Sequence, residues 1–151
     1  GALAARSAVM NSVREFAKSG KPVLGICNGF QILCESGLLP GVLVKNEKGQ
    51  FVDKWTEIEN VQSNRFFARS SKQQLRLPVA HGEGRFFAEK NELEKIEGQG
   101  LVWFRYKENF NGSMNSIAGL MNKEKNVCAL MPHPERALYE WMGGQDGFQF
   151  I

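Results

Sequence analysis

The spacing of apolar positions changes several times along the chain, and each change predicts an element. Leu3, Val9, Met10, Val13, Phe16 and Ala17 recur at helical spacing with Arg6, Arg14 and Lys18 between them, which predicts an amphipathic helix. Gly20 suits the residue just past its end, and Pro22 cannot continue it. Pro22-Val23-Leu24-Gly25-Ile26-Cys27 is a short apolar run between turn signals, the pattern of a strand buried on both faces of a parallel sheet. Asn28-Gly29 makes a tight turn, and Phe30, Ile32 and Leu33 begin a second helix that ends at Gly37. Helix, buried strand and helix form part of an α/β layered unit.

The middle of the chain has a different period. Leu75, Leu77 and Val79 alternate with polar residues, as in a half-buried strand. Phe51 to Val61 and Leu101 to Tyr106 are expected to be extended, and Asn91 to Glu97 to form a short helix. Ile117 to Met121 and Val127 to Met131 are two expected strands, and Asn122-Lys123-Glu124-Lys125-Asn126 is short enough to join them as a hairpin. The expected fold is therefore α/β: a mostly parallel sheet flanked by helices, with a short antiparallel extension.

Composition narrows the class. The chain has 151 residues, 42% apolar and 23% charged, close to the values for one globular domain that buries a core. Lys and Arg total 19 against 16 Asp and Glu, and this scattered excess of +3 predicts no nucleic-acid partner. No apolar run has the length of a membrane span, so no membrane partner is expected. Three widely spaced cysteines exclude a paired disulfide framework and a Cys-x-x-Cys metal knuckle. With no basic-then-apolar leader in view, a reducing, cytoplasmic compartment is the expectation. The chain starts at Gly1 inside a helical pattern and stops in the apolar stretch Gly147-Phe148-Gln149-Phe150-Ile151. Residues 1–151 are accordingly expected to be a single domain, incomplete at its N-terminus and short at its C-terminus.

Two segments carry chemistry. Gly25-Ile26-Cys27-Asn28-Gly29 has the form Gly-x-nucleophile-x-Gly at a strand-to-helix junction. Such an elbow holds its nucleophile on a strained turn, with glycines where backbone comes close. The following helix points its positive end at the thiol and favours the thiolate that attacks. The Asn28 backbone N–H would face the developing oxyanion. The same pentapeptide also reads as a core cysteine between packing glycines, and alone it does not separate the two. The second segment is Met131-Pro132-His133-Pro134-Glu135-Arg136. Pro134 biases His133 to extended geometry, where residues two apart point the same way. Glu135 can then accept the imidazole N–H, fix the tautomer and support the imidazolium. A lone His-Pro-Glu is more simply a surface histidine in a Pro-rich loop, and pairing with an elbow cysteine reverses that preference. With one Cys and one His converging, no metal site is expected.

The stretches Gly25 to Leu33 and Met131 to Ala137 resemble the class I, triad-type glutamine amidotransferases, which have a flavodoxin-like fold. Within that class the chain is similar, essentially from end to end, to the stand-alone glutaminase subunits of phosphoribosylformylglycinamidine synthase, an enzyme of purine biosynthesis. Asn28 directly after the cysteine, Gly37-Leu38-Leu39-Pro40-Gly41, the stretch from Pro78 through His81-Gly82-Glu83-Gly84 to Arg85, and Asn111-Gly112-Ser113 carry that closer likeness. The resemblance implies hydrolysis of L-glutamine to glutamate and ammonia, with Cys27 as nucleophile, His133 as base and Glu135 as its orienter. It implies a glutamine contact for Gln31, which would otherwise be a solvated residue of the helix's first turn. His81, more weakly, would line the substrate mouth or a partner surface, as would Glu83 and Arg85, unless all three simply shape a Gly-rich loop.

Cofactors and partners also follow from the resemblance. The glutaminase half-reaction needs no cofactor. Ammonia would pass to a large synthase subunit that uses ATP and Mg, with a small bridging subunit. The resemblance further implies an earlier stretch whose Gly-rich loop supplies the second oxyanion N–H. Loss of one such donor costs about 10²–10³ in turnover, so the piece alone is expected to lack full activity. Two rival readings are another Cys-His-Glu hydrolase of the same fold, such as a peptidase, and an inert interaction module. Cys34 and Cys128 are expected to be small core residues.

Overall fold

A computed structural model describes residues 7–68 and 72–150. The helical positions Leu3 and Arg6, and the terminal Ile151, lie outside the described residues. Helix α1 spans Ala8–Lys18. It stops as its sequence predicts: Gly20 takes a left-handed φ of 77°, and the Gly20 and Lys21 N–H groups donate back to Ala17 O and Phe16 O. Met10 and Ala17 are buried and Val13 packs against the core, but Val9 and Phe16 remain 68% and 44% exposed. The apolar stripe of α1 is thus wider than the face that its neighbours cover.

Strand β1, Val23–Ile26, leads into α2, Asn28–Glu35. Next come β2 (Val42–Val44), β3 (Val52–Asn60), β4 (Gln74–His81) and β5 (Arg85–Phe87). Helix α3 (Lys90–Gly98) precedes β6 (Val102–Tyr106), and the hairpin strands are β7 (Ile117–Met121) and β8 (Val127–Leu130). Single turns of 3₁₀-helix follow at Pro134–Arg136, Glu140–Met142 and Asp146–Phe150. The elements expected around residues 51–61, 75–79, 91–97, 101–106 and 117–131 all form. Strands β2 and β5 were not expected, because three residues are too few to establish a period.

The main sheet has the order β1-β8-β7-β6-β3-β4, and β2 and β5 form a separate antiparallel pair. The α/β expectation stands, but the proportion of parallel pairing does not. Among the described strands only β1 and β8 run parallel, while β8/β7, β7/β6, β6/β3 and β3/β4 are antiparallel. Connection length explains the difference. A five-residue link such as 122–126 can only return antiparallel, whereas β1 reaches β8 after the chain has built everything between them. Nor is β1 buried on both faces. It ends the described sheet, and of its residues only Gly25 is fully buried.

The core lies between the sheet and its covering elements. Trp103, Phe104 and Phe150 pack with ring centroids 4.6–5.8 Å apart, and Phe30 of α2 stacks on Phe86 of β5. Asn126, 2% exposed, docks α1 and β1 on the hairpin. Its Nδ2 donates to Ala17 O and Lys21 O at 2.8 and 2.9 Å, and its carbonyl accepts Val23 N–H at 2.7 Å. Asn126→Ala removes both of these bonds and the one its Oδ1 accepts from Asn122 Nδ2. A cost of about 1–3 kcal/mol is expected, seen as a melting temperature several degrees lower in thermal denaturation of the full-length protein.

Candidate active site

The elbow at Cys27 exists. Its φ of 51° and ψ of −105° place a non-glycine residue in a conformation that neither strand nor helix uses. Its backbone N–H donates to Leu130 O at 2.9 Å, continuing the β1/β8 ladder by one residue. Its carbonyl accepts Phe30 N–H and Gln31 N–H, which starts α2. The N–H groups of Asn28 and Gly29 lie at the head of that helix, where no earlier turn supplies an acceptor. Gly25 is required sterically: a Cβ there would come within 2.5 Å of Leu33 Cδ1 and 2.9 Å of the Gly29 backbone. The expectation of backbone crowding fails at the other flank, since a Cβ on Gly29 would meet open space.

His133 follows β8 by three residues and is fastened by its own N–H to Pro78 O of β4 at 2.8 Å. Its Nδ1 lies 2.6 Å from Glu135 Oε1. The contact was expected from extended chain. Instead His133, at φ −105° and ψ 87°, falls short of extended geometry, and Pro134 opens a 3₁₀ turn that curls Glu135 back onto the ring. The imidazole is largely buried and the carboxylate half-exposed, with Arg136 Nε 3.6 Å from the same oxygen.

Beta strand β4 joins the two segments. Cys27 Sγ lies 3.9 Å from Ala80 O, two residues beyond the carbonyl that holds His133. His133 Nε2 is buried and has no partner at strict hydrogen-bond geometry. The Cys27 side chain is nevertheless the largest influence on the ring. Together with the Glu135 hydrogen bond, it pushes the His133 pKa up to about 9 against the opposing effect of burial. Both hold together because the Cys27 thiol is directed at Ala80 O while its sulfur remains beside the ring. Partial burial works against ionisation of Glu135, but its bond to His133 and the charges of His133 and Arg136 outweigh it, leaving the carboxyl below its ordinary range.

Other expected site residues have definite places. Gln31 Nε2 donates to Glu83 O at 2.7 Å, so its amide ties α2 to the β4–β5 loop. His81 is 4% exposed, and its Nδ1 is 3.1 Å from Asn46 Oδ1. Arg85 Nε donates to Gly112 O, and Glu83 is exposed. Three participants had no signal in the sequence. Asn46 lies in a polar run that resembles any loop, Tyr106 ends an apolar strand, and Ala80 contributes only a carbonyl. Tyr106 is fully buried with an unpartnered hydroxyl, and burial first, then Cys27, raises its pKa. Among the described residues no three His, Cys, Asp or Glu side chains converge as a metal would require.

A strained cysteine at a helix head, beside a carboxylate-bound imidazole, is an arrangement suited to acyl transfer. The comparisons agree. The model of the CobB/CobQ-like glutamine amidotransferase domain matches residues 1–145. The chain is 48% identical over 160 residues to phosphoribosylformylglycinamidine synthase subunit PurQ of Thermus thermophilus, covering 100% of this chain and 70% of that protein. It is 50% identical over 149 residues to the same subunit of Prochlorococcus marinus, covering 97% and 67%. The solved PurLQS of Thermotoga maritima superposes with a TM-score of 0.88 at 40% identity, over 99% of this chain and 68% of that one. The chain belongs to the glutamine amidotransferases, in the branch of the PurQ subunits of phosphoribosylformylglycinamidine synthase.

Cys34 and Cys128 are buried, and desolvation pushes both thiols up, that of Cys128 to about 12. Cys27 is the partly accessible thiol of the three. Limiting alkylation followed by mass spectrometry should therefore modify Cys27 first, and preferential labelling of Cys34 or Cys128 would contradict the elbow. The His133 pKa makes a second prediction. Its value is raised on folding, so its stabilisation is complete below the unfolded value near 6.5 and is lost as pH rises through about 9. The melting-temperature advantage of the native protein over His133→Gln should shrink across that window.

Proposed function

We propose that Cys27, His133 and Glu135 are the catalytic triad of this glutaminase. The observation that carries the reading is the strained Cys27 elbow facing an imidazole whose far nitrogen is held 2.6 Å from a carboxylate. As a glutaminase subunit of formylglycinamidine ribonucleotide synthesis, the protein hydrolyses L-glutamine to glutamate and ammonia. Cys27 Sγ, its proton passed to His133 Nε2, attacks the side-chain amide carbon. The carbonyl oxygen takes up the negative charge facing the Asn28 N–H. His133 returns the proton to the amide nitrogen, the C–N bond breaks, and ammonia leaves a thioester on Cys27. Water, giving a proton to His133, adds to the thioester carbon, and glutamate departs as the thiol is regenerated. Glu135 holds the ring in the required tautomer and stabilises it when charged.

Gln31 contacts the bound glutamine in this reading. Its Nε2 is engaged by Glu83 O, which leaves Oε1 for that contact. His81 borders the same site. The chemistry needs no cofactor in this subunit. Ammonia passes to a large synthase subunit that consumes ATP and Mg, with a small bridging subunit alongside, a division supported by the likeness to the PurLQS of Thermotoga maritima. The three free thiols suit a cytoplasmic setting. Membership among the glutamine amidotransferases disfavours a peptidase.

The test separates nitrogen sources. In the assembled full-length complex, Cys27→Ala and His133→Ala should abolish glutamine-dependent amidine formation and leave ammonium-dependent formation intact. Glu135→Ala should be milder, since an orienting acid can cost less than the nucleophile or base. If Cys27→Ala removes both activities while the complex stays assembled, the reading fails.

A further inference from the structure

Three buried polar atoms without partners are associated with this site: His133 Nε2, His81 Nε2 and the Tyr106 hydroxyl. Buried polar groups are normally paired, so each requires an explanation. The proposed mechanism accounts for His133 Nε2. It does not account for His81. That residue directly follows Ala80, whose carbonyl lies 3.9 Å from Cys27 Sγ, and charge on its imidazole is opposed by charge on His133.

The surroundings of His81 determine its protonation state. Asn46, itself 4% exposed, spends its Nδ2 hydrogens on His81 O at 2.8 Å and Gln50 O at 2.9 Å. Its Oδ1 is therefore an acceptor only, receiving Gly84 N–H at 3.2 Å and facing His81 Nδ1 at 3.1 Å. Nδ1 must carry the hydrogen, so in the neutral ring Nε2 carries a bare lone pair. The ring cannot turn over. It lies against Phe110 at 5.9 Å, and the loop backbone is so close that a Cβ on Gly84 would fall 2.3 Å from Nδ1. The titratable groups around it are His133, with Cys27 and Glu135 beyond, Tyr106 on β6, Glu83 on the β4–β5 loop and Arg85 at the start of β5. Burial first, then His133, lowers the His81 pKa to about 4, which favours the neutral ring at neutral pH.

We propose that His81 is a specificity-determining residue: its Nε2 lone pair accepts an N–H of the glutamine carboxamide, and Asn46 is the positioning residue that keeps that lone pair available. The inference rests on the reading of Cys27 and His133 as nucleophile and base. A neutral acceptor beside the reacting carbon attracts the amide N–H of glutamine and repels the carboxylate oxygen of glutamate. The same lone pair turns the amide nitrogen so that its own lone pair meets the proton on His133. It then favours release of the product acid, because the lone pair opposes the carboxylate oxygen that replaces the amide nitrogen.

The test uses the full-length assembled synthase with glutamine or ammonium as nitrogen source. His81→Phe keeps a ring against Phe110 and removes the acceptor. It should lower kcat/KM for glutamine about 10- to 100-fold and bring the glutamate inhibition constant closer to the glutamine KM by a similar factor, with ammonium-dependent turnover unchanged. His81→Gln can offer one donor and one acceptor, as the neutral ring does, and should recover most of both properties. Native kinetics and native discrimination in His81→Phe would overturn the proposal. So would an equal loss in His81→Gln with ammonium-dependent turnover intact, which decides the matter even if the Phe variant fails to assemble. Cys27→Ala run in parallel keeps the two readings apart, since glutamine turnover surviving that change refutes the nucleophile assignment, not the role of His81.

Discussion

Strands β1 and β8 pair parallel and in step, with Val23 opposite Val127 and Ile26 opposite Leu130. Everything proposed for the site depends on that register. Because the pair is parallel, both carboxyl ends emerge at the same edge of the sheet, where ligands of α/β sheets gather. Because it is in step, the residue after β1 and the loop after β8 reach that edge together. The Cys27 N–H to Leu130 O bond extends the pairing into the elbow itself. A slip of one residue would turn every side chain of β1 to the opposite face and carry Cys27 away from His133.

The antiparallel strand β4 then sets the spacing between the two segments. Its Pro78 carbonyl holds the His133 backbone and its Ala80 carbonyl receives the Cys27 thiol. Backbone is well suited to this task, since a ladder fixes its position more tightly than a side chain is fixed by its rotamers. The β4–β5 turn is tied down from several sides. Asn46 N–H holds Gly82 O, Gln31 holds Glu83 O and Asn111 holds Gly84 O. Each bond comes from a different part of the chain, so the loop beside the nucleophile is rigid although it contains two glycines. Preorganisation of this kind lets a hydrogen-bonding site act without reordering when charge develops.

Burial distributes reactivity among chemically similar groups. Of the three cysteines, two are desolvated and one sits at a helix head with partial access. Of the two histidines, one gains a thiol and a carboxylate that push its pKa up, while burial pushes down the pKa of the other, which faces an amide oxygen. Two imidazoles near one another with opposite protonation preferences can divide the work between proton transfer and hydrogen-bond acceptance.

The sequence by itself determined the local elements and the two segments that bear chemistry. Period-two alternation marked β4, turn residues marked the β7–β8 hairpin, Gly20 ended α1, and the Gly-x-Cys-x-Gly and His-Pro-Glu patterns carried the family likeness, because each is a short-range constraint written in adjacent residues. Only the tertiary structure decided the direction of most of the described strand pairs and the turn by which Glu135 reaches His133. It also decided the participation of Asn46, Tyr106 and the Ala80 carbonyl, which come to the site from separate elements. An asparagine in a polar run and an alanine in a strand have no local peculiarity to read. Their roles arise from hydrogen bonds made across long sequence separations, and such contacts exist only once the chain is packed.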